Sequence, residues 1–215
     1  MRPQVLIVGW GGAGQTYLLE QFNKHGVRTN HWNDEDKVKH CTYNYFIDHN
    51  IYNITREHLN TIPVIYMYCD PVVAINSYYR RNFASEQHYK MNRDHDISSV
   101  EAGRHGMYTA IPNDRTKYIH RVMTAKRDLF NYKNHARGWM NATKIFPMSL
   151  EDIIKYKSQL SDKLRVPLNV FNGLEIKPRS SKNQAPQAFR DVYLKVYNDV
   201  RILCRKYLNN SLKKI

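Results

Sequence analysis

The chain has 215 residues, and its 33 Lys and Arg against 19 Asp and Glu give a formal net charge of +14 at pH 7. A hydrophobic fraction of 42% beside 24% charged residues is ordinary for a folded protein and excludes global disorder. This length fits one domain with its own core, and the basic excess predicts an anionic partner such as a nucleotide, nucleic acid or another polyanion.

The cysteines and the first residues bear on the compartment. Cys41, Cys69 and Cys204 are widely spaced and form no CxxC pair, which predicts a reducing environment. The chain starts with a short apolar strand that is too brief for a signal-peptide core or a membrane span. We therefore expect a cytoplasmic or nuclear protein without a transmembrane segment. Its many Asn, Lys, Tyr and Ile residues are typical of AT-rich genomes such as those of many large DNA viruses, whose virion would be a further location.

The first half of the chain reads as strand, glycine loop and helix. Residues 5–8 form an apolar run that predicts a buried parallel strand, and residues 15–25 have helical spacing that stops at Gly26. A second short strand is predicted at 27–30, and the polar residues 33–39 predict a loop or a short helix. Residues 64–68 predict the next strand, followed by a helix that Asp70 caps and that runs to about Arg81.

The second half predicts a surface segment and then more helices. Residues 83–113 lack periodicity, so we predict a lid or insertion at 83–114 within a single domain spanning 1–215. Helical spacing returns at 115–136, a last strand is predicted at 144–147, and two amphipathic helices are predicted at 149–164 and 188–208. The predicted fold class is a three-layer α/β fold of the P-loop type, with a parallel β-sheet flanked by helices.

The loop after the first strand carries a phosphate-binding pattern. Gly9, Gly14 and Thr16 fit GxxxxGK[ST] at every fixed position except one, where Gln15 stands in place of the lysine. The loop follows a predicted strand and opens a predicted helix, so its amides and the helix N-terminus converge on one point. The sequence predicts an oxyanion cradle whose side chains supply no charge.

Three motifs in chain order resemble those of the sulfotransferase superfamily. Gly14-Gln15-Thr16-Tyr17-Leu18 is similar to the second half of that family's P-K-S-G-T-T-W-L loop. Asp70, Pro71 and Ser77 fit its strand leading into R-[ND]-P and a serine six residues after the proline. Residues 149–153, Ser-Leu-Glu-Asp-Ile, look like its Y-E-D-L turn, and the basic segment 177–182 lies where a donor-covering loop is expected.

The resemblance implies a function and a set of site residues. It implies binding of 3′-phosphoadenosine 5′-phosphosulfate without a metal, and sulfuryl transfer to a hydroxyl or a sugar, with His40 as the base by a loose match of Lys39-His40 to a K-x-H segment. The implied donor-binding residues are Gly9, Gly11, Gly12, Gly14, Gln15, Thr16, Tyr17, Ser77, Arg80 and Lys182.

Two cationic positions of the family pattern are absent. The loop lysine aligns with Gly12 and the 3′-phosphate arginine aligns with Cys69. Each charge-assisted contact to a phosphate is worth roughly 1.5–3 kcal/mol. Either neighbouring basic residues compensate, or the chain is a non-catalytic descendant that keeps the fold.

Two other classes of function fit parts of the sequence. Asp70 at the end of a strand would suit the magnesium-holding carboxylate of a degenerate nucleotide kinase or NTPase, although we favour its interpretation as a helix cap before Pro71. Tyrosines beside basic residues, at Tyr78, Tyr79 and Tyr89, would suit a non-enzymatic protein that binds nucleic acid or another polyanion.

Overall fold

A parallel sheet lies at the centre of the molecule. The structure, a computed structural model, describes residues 2–35, 37–92, 111–176 and 185–213. Within these ranges three strands, β1 (Leu6–Gly9), β2 (Val64–Met67) and β3 (Ile145–Met148), form a parallel sheet in that order. All strand residues are buried, and since neighbouring side chains point to opposite faces, both faces of the sheet are covered.

Helices flank the sheet and complete a mixed α/β architecture, as the sequence predicts. In the described part of the chain they are α1 (Gln15–Lys24), α2 (Tyr43–Asp48), α3 (Arg56–Leu59), α4 (Pro71–Arg80), α5 (Ala84–Asn92), α6 (Arg115–Ala125), α7 (Tyr132–Trp139), α8 (Leu150–Lys155), α9 (Lys157–Leu164) and α10 (Gln187–Lys213). Two 3₁₀ turns lie at Ile51–Asn53 and Leu168–Phe171. The three observed strands begin and end within one residue of the predicted bounds.

The prediction of a strand at 27–30 is wrong, because this segment lies alongside β1 but does not pair with it as a strand. The amides of Gln4 and Val5 both donate to the carbonyl of Arg28, at 2.8 and 3.3 Å. The fully buried Asn30 side chain then takes the place of a strand residue: it accepts from the Ile7 amide at 2.8 Å and donates to the Ile7 carbonyl at 3.0 Å. One carboxamide therefore satisfies both backbone groups of Ile7 at the edge of the sheet.

Two helices that the periodicity predicts as continuous are each broken. The predicted 115–136 helix ends at Lys126, which is left-handed at φ 51°, and its successor α7 starts after Asn131 at φ 61°. Between them the Asp128 carboxylate accepts from the amides of Phe130 and Tyr132, at 3.0 and 2.6 Å. The predicted 149–164 helix likewise divides at Tyr156 into α8 and α9. The apolar spacing continues across both breaks, so it does not reveal them.

Part of the predicted surface segment is regular structure. Helix α5 occupies residues 84–92 and buries Ala84, Gln87, His88, Met91 and Asn92, although the helix as a whole is polar. Residues 93–110 lie outside the described ranges. The sequence also does not predict the short helices α2 and α3, which begin at the threonine caps Thr42 and Thr55.

The long C-terminal helix α10 closes the sheet beside β3. The Ser211 hydroxyl donates to the Ile145 carbonyl at 2.7 Å, and Phe189 and Tyr193 are fully buried. The hydroxyls of Tyr193 and Tyr118 are hydrogen-bonded to each other beneath it. The Ser211 bond ties α10 to β3, which pairs with the central strand β2.

Candidate functional site

The glycine loop joins β1 to α1 and presents the start of that helix. The first bond of the helical ladder is the one that the Leu18 amide donates to the Gly14 carbonyl, at 3.1 Å. The amides of Gln15, Thr16 and Tyr17 precede this bond and carry the positive end of the helix dipole. A loop of this geometry suits an oxyanion.

Close packing fixes the loop in place. A Cβ on Gly11 would lie 2.8 Å from the Tyr78 ring and 3.0 Å from Gln87 Oε1, and the Tyr78 hydroxyl donates to the Gly11 carbonyl at 2.6 Å. Gly12 has φ +83°, and a Cβ there would lie 3.1 Å from the α-carbon of Ala74. Position 12 therefore disfavours any side chain, including the lysine of the sulfotransferase pattern.

Gln15 does not replace the missing lysine. Its side chain is 2% exposed and donates through Nε2 to the Trp10 carbonyl at 2.6 Å. The carboxamide closes the loop on itself, so at this position only the backbone remains to meet a ligand.

A cavity of about 1090 Å³ opens beside the loop. It brings together most residues of the sequence-predicted site: Gly11, Gly12, Gly14, Gln15, Thr16, Tyr17, His40, Ser77 and Arg80. Gly9 lies in β1 and is not among the lining residues, and the predicted Lys182 lies outside the described residues. The Tyr17 hydroxyl donates to the Gly173 carbonyl, which holds this side chain at the rim.

The cavity wall is predominantly basic. Among the described residues, five basic side chains line it against two carboxylates, Asp34 and Glu86. The basic residues are Lys39, Arg80, Arg81, Lys90 and Arg115. Low-dielectric walls focus charge, so a lining of this composition favours anions over cations.

One of these cations stands at the glycine loop. Lys39 is 8% exposed, and its Nζ donates to Thr16 Oγ1 at 3.2 Å and to the Trp32 carbonyl at 2.7 Å. Its own amide donates to Asp34 Oδ1 at 2.9 Å. The ammonium is therefore held beside the first turn of α1.

Helix α5 contributes a second cation, which is partly buried. Lys90 Nζ lies 2.7 Å from Asp34 Oδ2 and 2.6 Å from Glu86 Oε1. Burial is the largest single influence on the Lys90 pKa and lowers it, but the two ion pairs together outweigh burial, so the pKa is raised. Asp34 is left-handed at φ 64° and 9% exposed. It links the segment that carries Lys39 to the helix that carries Lys90.

Ser77 lines the same cavity, and two arginines lie beside it and its neighbour Asn76. Arg115 Nε donates to Asn76 Oδ1 at 2.7 Å, and Arg81 Nε donates to the Ser77 carbonyl at 3.3 Å. Arg81 also covers the Phe83 ring at 4.3 Å. These guanidinium groups stand near the serine although the position of the family's arginine holds Cys69.

His40 lines the cavity as a neutral and weakly basic imidazole. Desolvation by burial lowers its pKa to about 3, although the Asp34 carboxylate acts to raise it. Nδ1 lies 3.0 Å from the Gly9 carbonyl, and since that oxygen only accepts, Nδ1 carries the proton and Nε2 the lone pair. The ring has the tautomer that a base needs but a low affinity for a proton.

Asp70 acts as the N-cap of α4. Its Oδ1 accepts from the Val72 amide at 2.9 Å, with Pro71 at the first helical position, and Asp70 is not among the cavity-lining residues. No group of three or more His, Cys, Asp or Glu residues arranged to hold a metal ion occurs within the described ranges.

The tyrosines proposed for base stacking differ in exposure. Tyr78 is fully buried, and Tyr79 is half-buried with its hydroxyl donating to the Pro112 carbonyl at 2.8 Å. Tyr89 is 65% exposed. Of the three rings, only Tyr89 presents most of its surface to solvent.

None of the described helices combines the length and the apolar character that crossing a membrane requires.

Sequence reasoning missed several cavity residues. Asp34, Gln87, Lys90 and Arg115 come from segments that the patterns assign to loops or to helix surface. The one local signal was the pair Lys39-His40, in which the lysine reaches the glycine loop. Compared with protein-family models, with curated proteins and with solved structures, the chain matches none.

Proposed function

We propose that this cavity binds a nucleotide of the 3′-phosphoadenosine 5′-phosphosulfate type, in a P-loop-type domain that resembles the sulfotransferases. The proposal rests on one observation: the glycine loop, Ser77, Arg80 and the basic side chains all line the same cavity. Two anionic groups on one ligand would then lie in this cavity, one on the loop amides and one beside the guanidinium groups.

Basic residues from other segments support this assignment despite the two absent family cations. Arg115 and Arg81 flank the Asn76–Ser77 pair, and the ammonium of Lys39 stands beside Thr16. A planar guanidinium suits bidentate contact with a phosphate. The loss of Arg at position 69 therefore need not remove positive charge from the ligand's second phosphate.

We further propose that binding is the better-retained property and that sulfuryl transfer is slow. In such a transfer the bond from sulfur to the donor phosphate oxygen breaks, a new bond from sulfur to an acceptor hydroxyl forms, and the hydroxyl proton goes to a base. His40 Nε2 is the proposed base, but a pKa of about 3 makes it a poor acceptor of that proton.

Isothermal titration calorimetry with 3′-phosphoadenosine 5′-phosphate, ATP and GTP, each with and without magnesium, tests the proposal. The bisphosphate should bind without metal, and Arg115→Gln should weaken it about 10- to 100-fold while leaving adenosine 5′-phosphate nearly unchanged. Arg201→Gln, an exposed position on α10, is the charge-matched control.

The same titration separates the other functional classes. Binding of ATP or GTP that requires magnesium would favour a kinase or NTPase instead. No response to any nucleotide, together with salt-sensitive binding of single-stranded nucleic acid, would favour a polyanion-binding protein.

A further inference from the structure

We infer that Lys39 and Gln87 complete the oxyanion site of the glycine loop, so that its cation and one neutral donor come from outside the loop. The inference rests on the proposed function and deepens it by assigning which side chains hold the anionic group at the loop. The chemical class of that group is a tetrahedral oxyanion, such as a phosphoryl group.

Lys39 is positioned before any ligand arrives. Its Nζ is held by Thr16 Oγ1 at 3.2 Å and by the Trp32 carbonyl at 2.7 Å, and the side chain is 8% exposed. An ammonium has three donors, and Thr16 is one of the residues whose amides open α1. The charge therefore stands at the point where the helix dipole favours an anion.

Gln87 supplies an independent sign that a ligand belongs here. It lines the cavity and is 1% exposed, and its Nε2 is buried with no hydrogen-bond partner within the part of the chain that the structure describes. Its carboxamide lies against Gly11, whose added Cβ would be 3.0 Å from Oε1 and 3.1 Å from Cδ. A buried donor without an acceptor is costly, and a ligand oxygen would satisfy it.

One carboxylate links the segments that carry these two residues. Asp34 Oδ1 accepts from the Lys39 amide at 2.9 Å, and Asp34 Oδ2 pairs with Lys90 at 2.7 Å, one turn after Gln87 on α5. Lys39 and Gln87 thus lie beside two parts of the glycine loop, Thr16 and Gly11, on segments that Asp34 links. Lys39 thus supplies a positive charge near the loop, whereas a lysine at position 12 would have no room because Gly12 packs on Ala74.

Calorimetric titration of inorganic pyrophosphate into wild type, Lys39→Met, Lys39→Arg and Gln87→Met tests the inference. Lys39→Met should weaken binding about 10- to 100-fold, because a charge-assisted contact is lost, and Lys39→Arg should recover part of it. Gln87→Met, which keeps the volume, should weaken binding about 5- to 10-fold. Lys24→Met, at the exposed far end of α1, removes the same charge and should bind as wild type.

A measurement on the unmutated protein guards against variants that fail to fold. In wild type labelled with ¹³C at lysine Cε, the resonance that Lys39→Arg lacks should shift as pyrophosphate is added. Absence of that shift while binding is observed would overturn the inference, as would Lys39→Met binding within twofold of wild type. If wild type binds neither pyrophosphate nor any nucleotide, the proposed function itself fails.

Discussion

Replacing Asn30 should expose how the edge of β1 is held. In Asn30→Ala the Ile7 amide and carbonyl both lose their partners, 2.8 and 3.0 Å away, at a site with no solvent exposure. Each unsatisfied buried group costs about 1–3 kcal/mol, so the free energy of unfolding should fall by about 2–6 kcal/mol. A water that fills the vacated space would keep the loss near the lower value.

Asn30→Asp separates the accepting role from the donating role. The carboxylate still accepts from the Ile7 amide but faces the Ile7 carbonyl without a proton, so we expect its folded-state pKa to rise. A raised folded pKa means that stability is greater at low pH and is lost as pH rises through that pKa. The deficit of Asn30→Asp against wild type should therefore shrink as pH falls from 7 toward 4.

Urea unfolding followed by far-UV circular dichroism measures both variants against wild type at each pH. Asn209→Asp, at an exposed position on α10, controls for the added charge. A loss below about 1 kcal/mol for Asn30→Ala would refute the reasoning, because two buried groups cannot lose partners so cheaply. So would a deficit of Asn30→Asp that does not change with pH.

Three further changes should alter stability in defined directions, each measured by urea unfolding. Gly9→Ala places a Cβ 2.0 Å from a carbonyl oxygen of β2 at φ +143° and should lower the free energy of unfolding by more than about 3 kcal/mol. Its control Gly26→Ala, at φ +74° with nothing within 4 Å of the added Cβ, should lower it by about 1 kcal/mol. Equal losses in the two variants would contradict this. Lys126→Gly relieves a left-handed residue at φ 51° and should stabilise by up to about 1 kcal/mol; destabilisation would count against strain at that helix end. Burial lowers the pKa of His40 to about 3 and of His135 to about 4, whereas a histidine in the unfolded chain has a pKa near 6.5. Below that pH the unfolded chain binds more protons, so the free energy of unfolding should fall by about 2 kcal/mol per histidine from pH 7 to 5. A constant free energy of unfolding would exclude burial of neutral rings.

The elements that the sequence predicts are those with a local cause. Continuous apolar runs produce the three strands because both faces of the sheet are covered, and caps such as Asp70 and Ser149 fix where α4 and α8 begin. The false strand at 27–30 has the right residue types, but its position beside β1 is occupied through the Asn30 side chain. The spacing of apolar residues cannot distinguish a strand that pairs through its backbone from a segment that bonds to its neighbour through a side chain.

The site is predictable in its backbone and not in its charges. The glycines and the helix that follows them predict the phosphate-binding type of loop, because such loops bind through main-chain amides. Lys39, Gln87 and Arg115 lie 30, 78 and 106 residues after the loop start at Gly9, and they reach the cavity only through tertiary packing. No local pattern marks them. A motif comparison that counts only loop residues therefore underestimates the positive charge available to a ligand.

The charged and polar groups around Asp34 also bear on the proposed anion binding. Lys39 is buried beside Asp34, and Lys90 is partly buried between Asp34 and Glu86, and burying such groups usually costs as much as their attraction returns. Gln87 adds a buried donor whose acceptor is not among the described residues. Under the proposed function, an oxyanion on the loop would bring acceptors to Lys39 and Gln87 and would offset part of these costs. A fold that had kept the glycine loop only as a turn would gain stability by replacing them with apolar residues.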